Sequence, residues 1–210
     1  MRHLVKAYRR KKRLIKARLR DFRDLQRGKD EDLFRELCFC VLTPQSKAVN
    51  CDNAIKELIR RKLLFTGSEN DIKRHLRKSV RFHNKKAAYL LGARKAFENN
   101  GKLAVRAKLD PKDTFRTREW LVENIKGLGY KEASHFLRNI GLGRNLAILD
   151  VHIMRNLKRL GVIRKLPRSL TGKNYIDIEN KMRNFAGKVH IPLEELDLLF
   201  WSRETGFVFK

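Results

Sequence analysis

Lys131 and Asp150, nineteen positions apart, are the two residues of this 210-residue chain whose setting best suits chemistry. Lys131 follows Gly127-Leu128-Gly129, and the pattern predicts a helix starting at Tyr130. An amine in the first turn of a helix, near the positive end of its dipole and partly shielded from water, is biased toward its neutral form. A neutral amine can attack the anomeric carbon of a sugar and become a Schiff base. Asp150 follows the apolar run Ala147-Ile148-Leu149 and precedes a second helical pattern, the position of an N-cap. The two roles are compatible. A ten-residue helix rises about 15 Å, and the six or seven residues from Arg144 to Asp150 return about 20 Å when extended. The path therefore runs out and back, and a carboxylate beside the amine can orient it, assist its deprotonation or stabilise an oxocarbenium-like sugar.

The elements that must hold these groups read as helices throughout. Leu33, Phe34, Leu37, Cys38, Val41 and Leu42 mark one apolar face; Ile55, Leu58, Ile59 and Leu63 mark another. Tyr89, Leu90, Ala93 and Phe97 continue the pattern to a stop at Asn99-Asn100-Gly101. Trp120, Leu121 and Ile125 lead into the glycine hairpin, and Ala133, Phe136, Leu137 and Ile140 lead out of it to Gly141. Val151 to Leu160 form the next helix, ended by Gly161. Tyr175, Ile178, Met182 and Phe185 form another, ended by Gly187, and Leu193 to Phe200 form the last. No alternating strand and no repeat stands out, so the class is all-α. No linker rich in Gly, Ser or Pro divides the chain, which reads as one unit, 1–210, of two helical lobes. Residues 30–125 form the central lobe, and 1–29 with 126–210 form the lobe carrying the hairpin and both candidate residues. A cleft between such lobes can hold a flipped nucleotide.

Charge names the partner class. Fifty Lys+Arg stand against 23 Asp+Glu, a formal charge of +27, while the 42% hydrophobic content is ordinary. A charged thermophile surface balances lysine with glutamate; a surplus this large points to nucleic acid. In that context Gly127, Leu128 and Gly129 gain meaning: Leu128 packs back between the helices while the flanking amides and the helix N-terminus approach a backbone phosphate. Met1 to Arg20 holds ten Lys/Arg and no acid, with Leu4, Tyr8, Ile15 and Leu19 interspersed. It lacks the apolar core of a secretory signal, leaving a DNA-tracking helix, a helix packed on its lobe, or a surface-binding amphipathic helix. No apolar run reaches the roughly 18 residues a membrane span needs. Cys38, Cys40 and Cys51 match no metal spacing and read as buried free thiols of a reducing cytoplasm.

Hairpin, lysine and aspartate in this order resemble the helix-hairpin-helix DNA glycosylase superfamily from about Trp120 to Leu160, and His152 fits its Asp-x-His pattern, in a capping or core role. The resemblance makes Lys131 the catalytic lysine of the bifunctional glycosylase/lyase members and Asp150 their aspartate. Leu33 to Val49, Gly127 to Ile140 and the end of the chain, Glu195 to Trp201 with Thr205-Gly206 and Lys210, are similar to the archaeal-type 8-oxoguanine DNA glycosylases. That likeness implies that Trp201 stacks on the flipped base and that the terminal carboxylate of Lys210 reads it. It also places Arg81 and Phe82 at the opposite strand, where a ring can wedge and an arginine can meet the orphaned base. Gln45 stands where relatives carry a gap-filling polar residue. A core role for Trp201, burial for Phe82 and a phosphate contact for Arg81 are the plainer readings.

The expected activity is excision of 8-oxoguanine through a lysine Schiff base, with β-elimination at the resulting abasic site. The expected partner is double-stranded DNA carrying 8-oxoguanine or an abasic site, met by a monomer in the cytoplasm. No cofactor is required, and a monovalent ion at the hairpin is compatible. Iron–sulfur relatives use four C-terminal cysteines; this chain has no cysteine after Cys51. Two rivals are a superfamily enzyme for other damaged bases and a non-catalytic helix-hairpin-helix DNA-binding module.

Overall fold

A computed structural model describes residues 2–209. Eleven α-helices carry the described residues, with one minimal hairpin of two-residue strands. The chain divides into two compact units, one made of the segment up to Gln26 and the segment from Leu137 onward, the other of Arg27–Phe136.

In the Arg27–Phe136 unit, α2 (Asp30–Leu42) is the centre, with Leu33, Phe34 and every residue from Leu37 to Leu42 buried. It packs on α3 (Ala48–Arg60) and α6 (His83–Ala96), which in turn packs on α5 (Glu69–Leu76). The expected face from Ile55 to Leu63 is interrupted: Lys62 adopts a left-handed conformation (φ 60°), and Leu63 opens a separate short helix, α4 (Leu63–Thr66). Arg94 holds that short helix by donating to the carbonyls of Leu63, Leu64 and Gly67. The stop at Asn99-Asn100-Gly101 is also a turn. Asn100 and Gly101 both have positive φ, and β1 (Glu98–Asn99) pairs antiparallel with β2 (Lys102–Leu103). The all-α class stands with that one addition. A 3₁₀ turn (Arg106–Lys108) and α7 (Thr114–Asn124) then lead to the glycine hairpin and the start of α8 (Tyr130–Asn139).

In the other unit, α11 (Leu193–Thr205) is buried almost continuously from Glu195 to Phe200 and contacts α1 (Arg2–Gln26), α9 (Val151–Arg159) and α10 (Gly172–Val189). Its two buried acids have named partners. The Tyr8 hydroxyl donates to Glu195 at 2.6 Å, and Arg138 pairs with Asp197 at 2.6 Å. Helix α10 passes through Gly187 and ends at His190, which adopts the left-handed capping conformation (φ 53°) in place of the expected glycine. Continuation to Val189 buries one more apolar residue, which outweighs the weak helix propensity of a single internal glycine.

Candidate active site

The hairpin is built around one glycine that cannot be replaced and one that can. Gly127 has φ +92°, and a Cβ there would lie 2.5 Å from the Tyr89 ring of α6. Gly129 has no such conformation, and a Cβ on it would meet only the end of the Glu132 side chain at 3.3 Å. Left-handed strain of about 1–2 kcal/mol and overpacking of about 1–3 kcal/mol add at the first position. Gly127→Ala should therefore lower the free energy of unfolding by about 2–5 kcal/mol. Gly129→Ala should stay within about 1 kcal/mol of the parent, a contrast that urea denaturation reads directly.

Leu128 is buried as expected, at 4% exposure. The amides differ from expectation, because they are not bare. The Leu128 N–H donates to the Ile125 carbonyl at 3.1 Å, closing the turn, and the Gly129 N–H donates to Glu132 at 3.3 Å. Gly129 is thus the N-cap of α8, its carbonyl accepting the Ala133 N–H at 2.9 Å while the N3 glutamate reaches back to its amide. The same Glu132 carboxylate meets the Lys131 ammonium at 3.1 Å. Lys131 is about a quarter exposed, in the first turn of α8. Glu132 was missed from sequence, although Gly-x-x-Glu at a helix start is a capping spacing.

Around Lys131 the Arg27–Phe136 unit gathers a polar neighbourhood. Burial pushes the Cys51 thiol up to about 11, with the positive charges of Lys86 and Lys131 pulling it back. Lys86, on α6, is itself buried, and desolvation holds its ammonium below the usual lysine range. Three acceptors stabilise that charge: the carbonyls of Leu42 and Pro44 at 2.7 and 2.8 Å and the Ser46 hydroxyl at 2.9 Å. Ser46 also accepts the Arg81 N–H at 3.0 Å. Lys86 therefore ties together the loop bearing Gln45 and the turn bearing Arg81 and Phe82. Gln45 and Phe82 both have positive φ, 54° and 57°, an uncommon conformation for residues other than glycine. Both are exposed, Phe82 at 52%, with the Arg81 guanidinium 5.6 Å from its ring. Phe82 is therefore not a core residue. Nothing in the pattern of apolar residues singles out Lys86, one of fifty basic side chains.

Asp150 belongs to the other unit and caps α9. One carboxylate oxygen, Oδ1, accepts the N–H groups of His152 and Ile153, both at 2.8 Å. The other, Oδ2, has no hydrogen-bond partner among the described residues, and Asp150 borders a mainly apolar cavity of about 330 Å³ lined by Leu149, Met154, Pro167 and Leu170. The chain reaches Asp150 through the buried run 146–149, which has no neighbouring strand among the described residues. Two side chains one turn apart on α10 replace it. Tyr175 donates to the Ala147 carbonyl at 2.6 Å and accepts the Leu149 N–H at 3.2 Å, and Glu179 accepts the Ala147 N–H at 2.7 Å. His152 is half-buried beside the cap, and its Nδ1 has no partner among the described residues.

Beneath this segment, burial above all raises the Asp197 carboxyl to about 6; Arg138 lowers it and the nearby Asp150 raises it. Trp201, half-buried on α11 in the same unit, stacks on Phe209 (6.3 Å between centroids, 27°) and meets Phe207 edge-on. Lys210 lies outside the described residues. Among those residues, no three His, Cys, Asp or Glu side chains gather to hold a metal ion, and no helix is long and apolar enough to cross a membrane.

Comparison with known proteins converges on one family. Residues 15–191 match the family Ogg-HhH, described as 8-oxoguanine DNA glycosylase. The chain is 45% identical to an 8-oxoguanine DNA glycosylase/AP lyase of Fusobacterium nucleatum, over 99% of this chain and 96% of that one. A crystal structure of the Methanocaldococcus jannaschii 8-oxoguanine glycosylase/lyase, in complex with a 15mer DNA containing 8-oxoguanine, superposes with a TM-score of 0.89 at 34% identity, covering all of both chains. That of the Thermotoga maritima 8-oxoguanine DNA glycosylase gives 0.87 at 37%, covering all of this chain and 97% of the other. Agreement over nearly full length in both sequence and fold leaves one assignment: the chain belongs to the Ogg-HhH family of 8-oxoguanine DNA glycosylases.

Proposed function

We infer that this protein is a bifunctional 8-oxoguanine DNA glycosylase and abasic-site lyase, a reading carried by its near-full-length likeness to relatives of that name. The neutral amine of Lys131 attacks C1′ of the flipped nucleotide as the C1′–N9 bond breaks. The base leaves with the electron pair, and the amine's proton is lost. The C1′–O4′ bond then opens, its electron pair going to O4′, which takes up a proton, and the aminal becomes an iminium; this acidifies C2′, so loss of a C2′ proton expels the 3′ phosphate by β-elimination. Asp150, held by Oδ1 on α9, presents Oδ2 for orienting the amine and for meeting positive charge developing on the sugar. The hairpin and the α8 N-terminus take the backbone phosphate.

For base reading, Trp201 supplies the stacking face and the carboxylate of Lys210 the polar contact; the ring of Phe209 stacks on Trp201. Deletion of Lys210 should slow 8-oxoguanine release by about tenfold or more, the size of one charged hydrogen bond to the base, while cleavage of a preformed abasic site changes less. Equal loss on both substrates would remove the base-reading role.

Gln45, Arg81 and Phe82 fill the space left in the duplex and meet the orphaned base. Lys86→Met should then impair excision from a paired 8-oxoguanine about tenfold, because the Gln45 loop and the Arg81–Phe82 turn lose their shared anchor. It should also destabilise the fold by about 2–4 kcal/mol, since two buried carbonyls lose a charged donor. Single-turnover excision and thermal unfolding measure the two effects.

Borohydride trapping tests the whole reading. The wild-type protein should cross-link to a duplex containing 8-oxoguanine and nick it 3′ to the lesion, leaving undamaged duplex untouched. Cross-linking confined to oxidised-pyrimidine duplex would transfer the protein to another substrate. Salt-sensitive binding with no strand cleavage would make it a binding module.

A further inference from the structure

Helix α1 takes no part in the chemistry, yet its charges are ordered. Arg2, Lys6, Arg9, Arg13, Lys16 and Arg20 follow one another at alternating spacings of four and three. On a helix they fall within an arc of about 80° and extend about 27 Å along the axis. All six are exposed. None makes an ion pair or a ring contact among the described residues, and no acidic residue precedes Asp21. The opposite stripe, Leu4, Tyr8, Ile15, Leu19 and Phe22, is buried, and α11 takes the helix through Tyr8–Glu195 and through Lys11, which donates to the Ser202 carbonyl at 2.9 Å.

Five successive like-charge neighbours at i,i+3 and i,i+4 work against the helix, so this ridge serves no folding purpose. It has the spacing and uniform sign of a surface that meets a polyanion. A membrane interface fits poorly, because a helix lying in a bilayer must bury its apolar face in lipid, and here that face is already covered by the protein. We propose that the outward ridge of α1 is a second, sequence-independent contact for double-stranded DNA, separate in the chain from the Gly127–Gly129 hairpin, which holds the enzyme on undamaged duplex. The inference rests on DNA being the substrate but not on the roles given to Lys131 or Asp150.

The test is the variant Lys6→Gln/Arg9→Gln/Arg13→Gln/Lys16→Gln beside a charge-matched control, Lys95→Gln/Lys102→Gln/Lys112→Gln/Lys188→Gln, whose four lysines are exposed elsewhere. Circular dichroism establishes that both are folded. Affinity for an undamaged 40-base-pair duplex is then followed against salt. The ridge variant should bind at least tenfold more weakly at about 0.1 M salt, and its slope of log K against log salt should fall by about 2 to 4, at about 0.9 for each phosphate no longer neutralised. Single-turnover excision of 8-oxoguanine at saturating enzyme should continue, which separates failure of the ridge from failure of the enzyme assignment. The proposal is overturned if the control loses as much affinity and slope as the ridge variant. It is also overturned if the ridge variant keeps its DNA affinity and instead loses binding to vesicles of anionic phospholipid.

Discussion

Lys131→Gln should abolish the borohydride-trapped complex with an 8-oxoguanine duplex and lower strand cleavage by roughly 10³-fold or more, the scale expected when a covalent nucleophile is removed. Glutamine keeps the length and polarity of the side chain but its amide nitrogen cannot form the iminium. The fold should be indifferent to the change. The Lys131 side chain is about a quarter exposed, and the one ion pair it makes among the described residues is with the adjacent Glu132, an interaction worth less than about 1 kcal/mol in a partly solvated setting. Unfolding of the variant should therefore superpose on that of the parent, and binding to undamaged duplex should weaken by no more than one cation's share. A trapped complex that survives the substitution would move the nucleophile to another amine; buried Lys86 is a poor replacement, since all three of its hydrogen bonds run to the 42–46 segment.

Glu132 bears on the same amine. Its carboxylate touches both the Lys131 ammonium and the Gly129 amide, so it can fix the amine's position while it caps the helix. Approach of a DNA phosphate to the hairpin amides would repel that carboxylate and loosen its hold on the amine.

Much of this site was legible because helical spacing and caps are local. The start of α8 at Tyr130, the N-cap role of Asp150, the burial of Leu128 and the apolar face of α2 each follow from residues within one or two turns, whereas on α9 Met154 and Leu157 are buried but Val151 is exposed. What escaped depends on partners far along the chain. Tyr175 and Glu179 stand in for a missing strand beside 146–149, and no periodicity announces that side chains of a helix will pair with irregular backbone. Lys86 is four residues past Phe82 and forty before Lys126, indistinguishable in sequence from solvated lysines, yet its contacts decide where Gln45 and Arg81 stand. Gly187 showed the opposite failure: a residue type that usually ends helices was passed over because the apolar face continued to Val189.

Asp150→Asn should slow base excision by about 10²–10³-fold, the loss typical of removing one preorganised charge from a developing cation, while duplex affinity stays within a few fold. The asparagine is the discriminating choice because the residue has two jobs. Its Oδ1 caps α9 through the His152 and Ile153 amides, and asparagine caps as well as aspartate. Asp150→Ala should lose the same catalysis and about 1 kcal/mol of stability besides, so the difference between the two variants isolates the cap. A second readout comes from Asp197. Its folded carboxyl titrates at about 6, above the unfolded value near 4, so its contribution to stability is complete below about 4 and is lost as pH rises through about 6. The negative charge of Asp150 is one cause of that elevation. Neutralising it should narrow the window from above, shifting the fall in stability to lower pH, whereas a variant that merely disturbed the helix end would leave the midpoint where it was. Excision by Asp150→Asn at the parental rate would confine Asp150 to the cap.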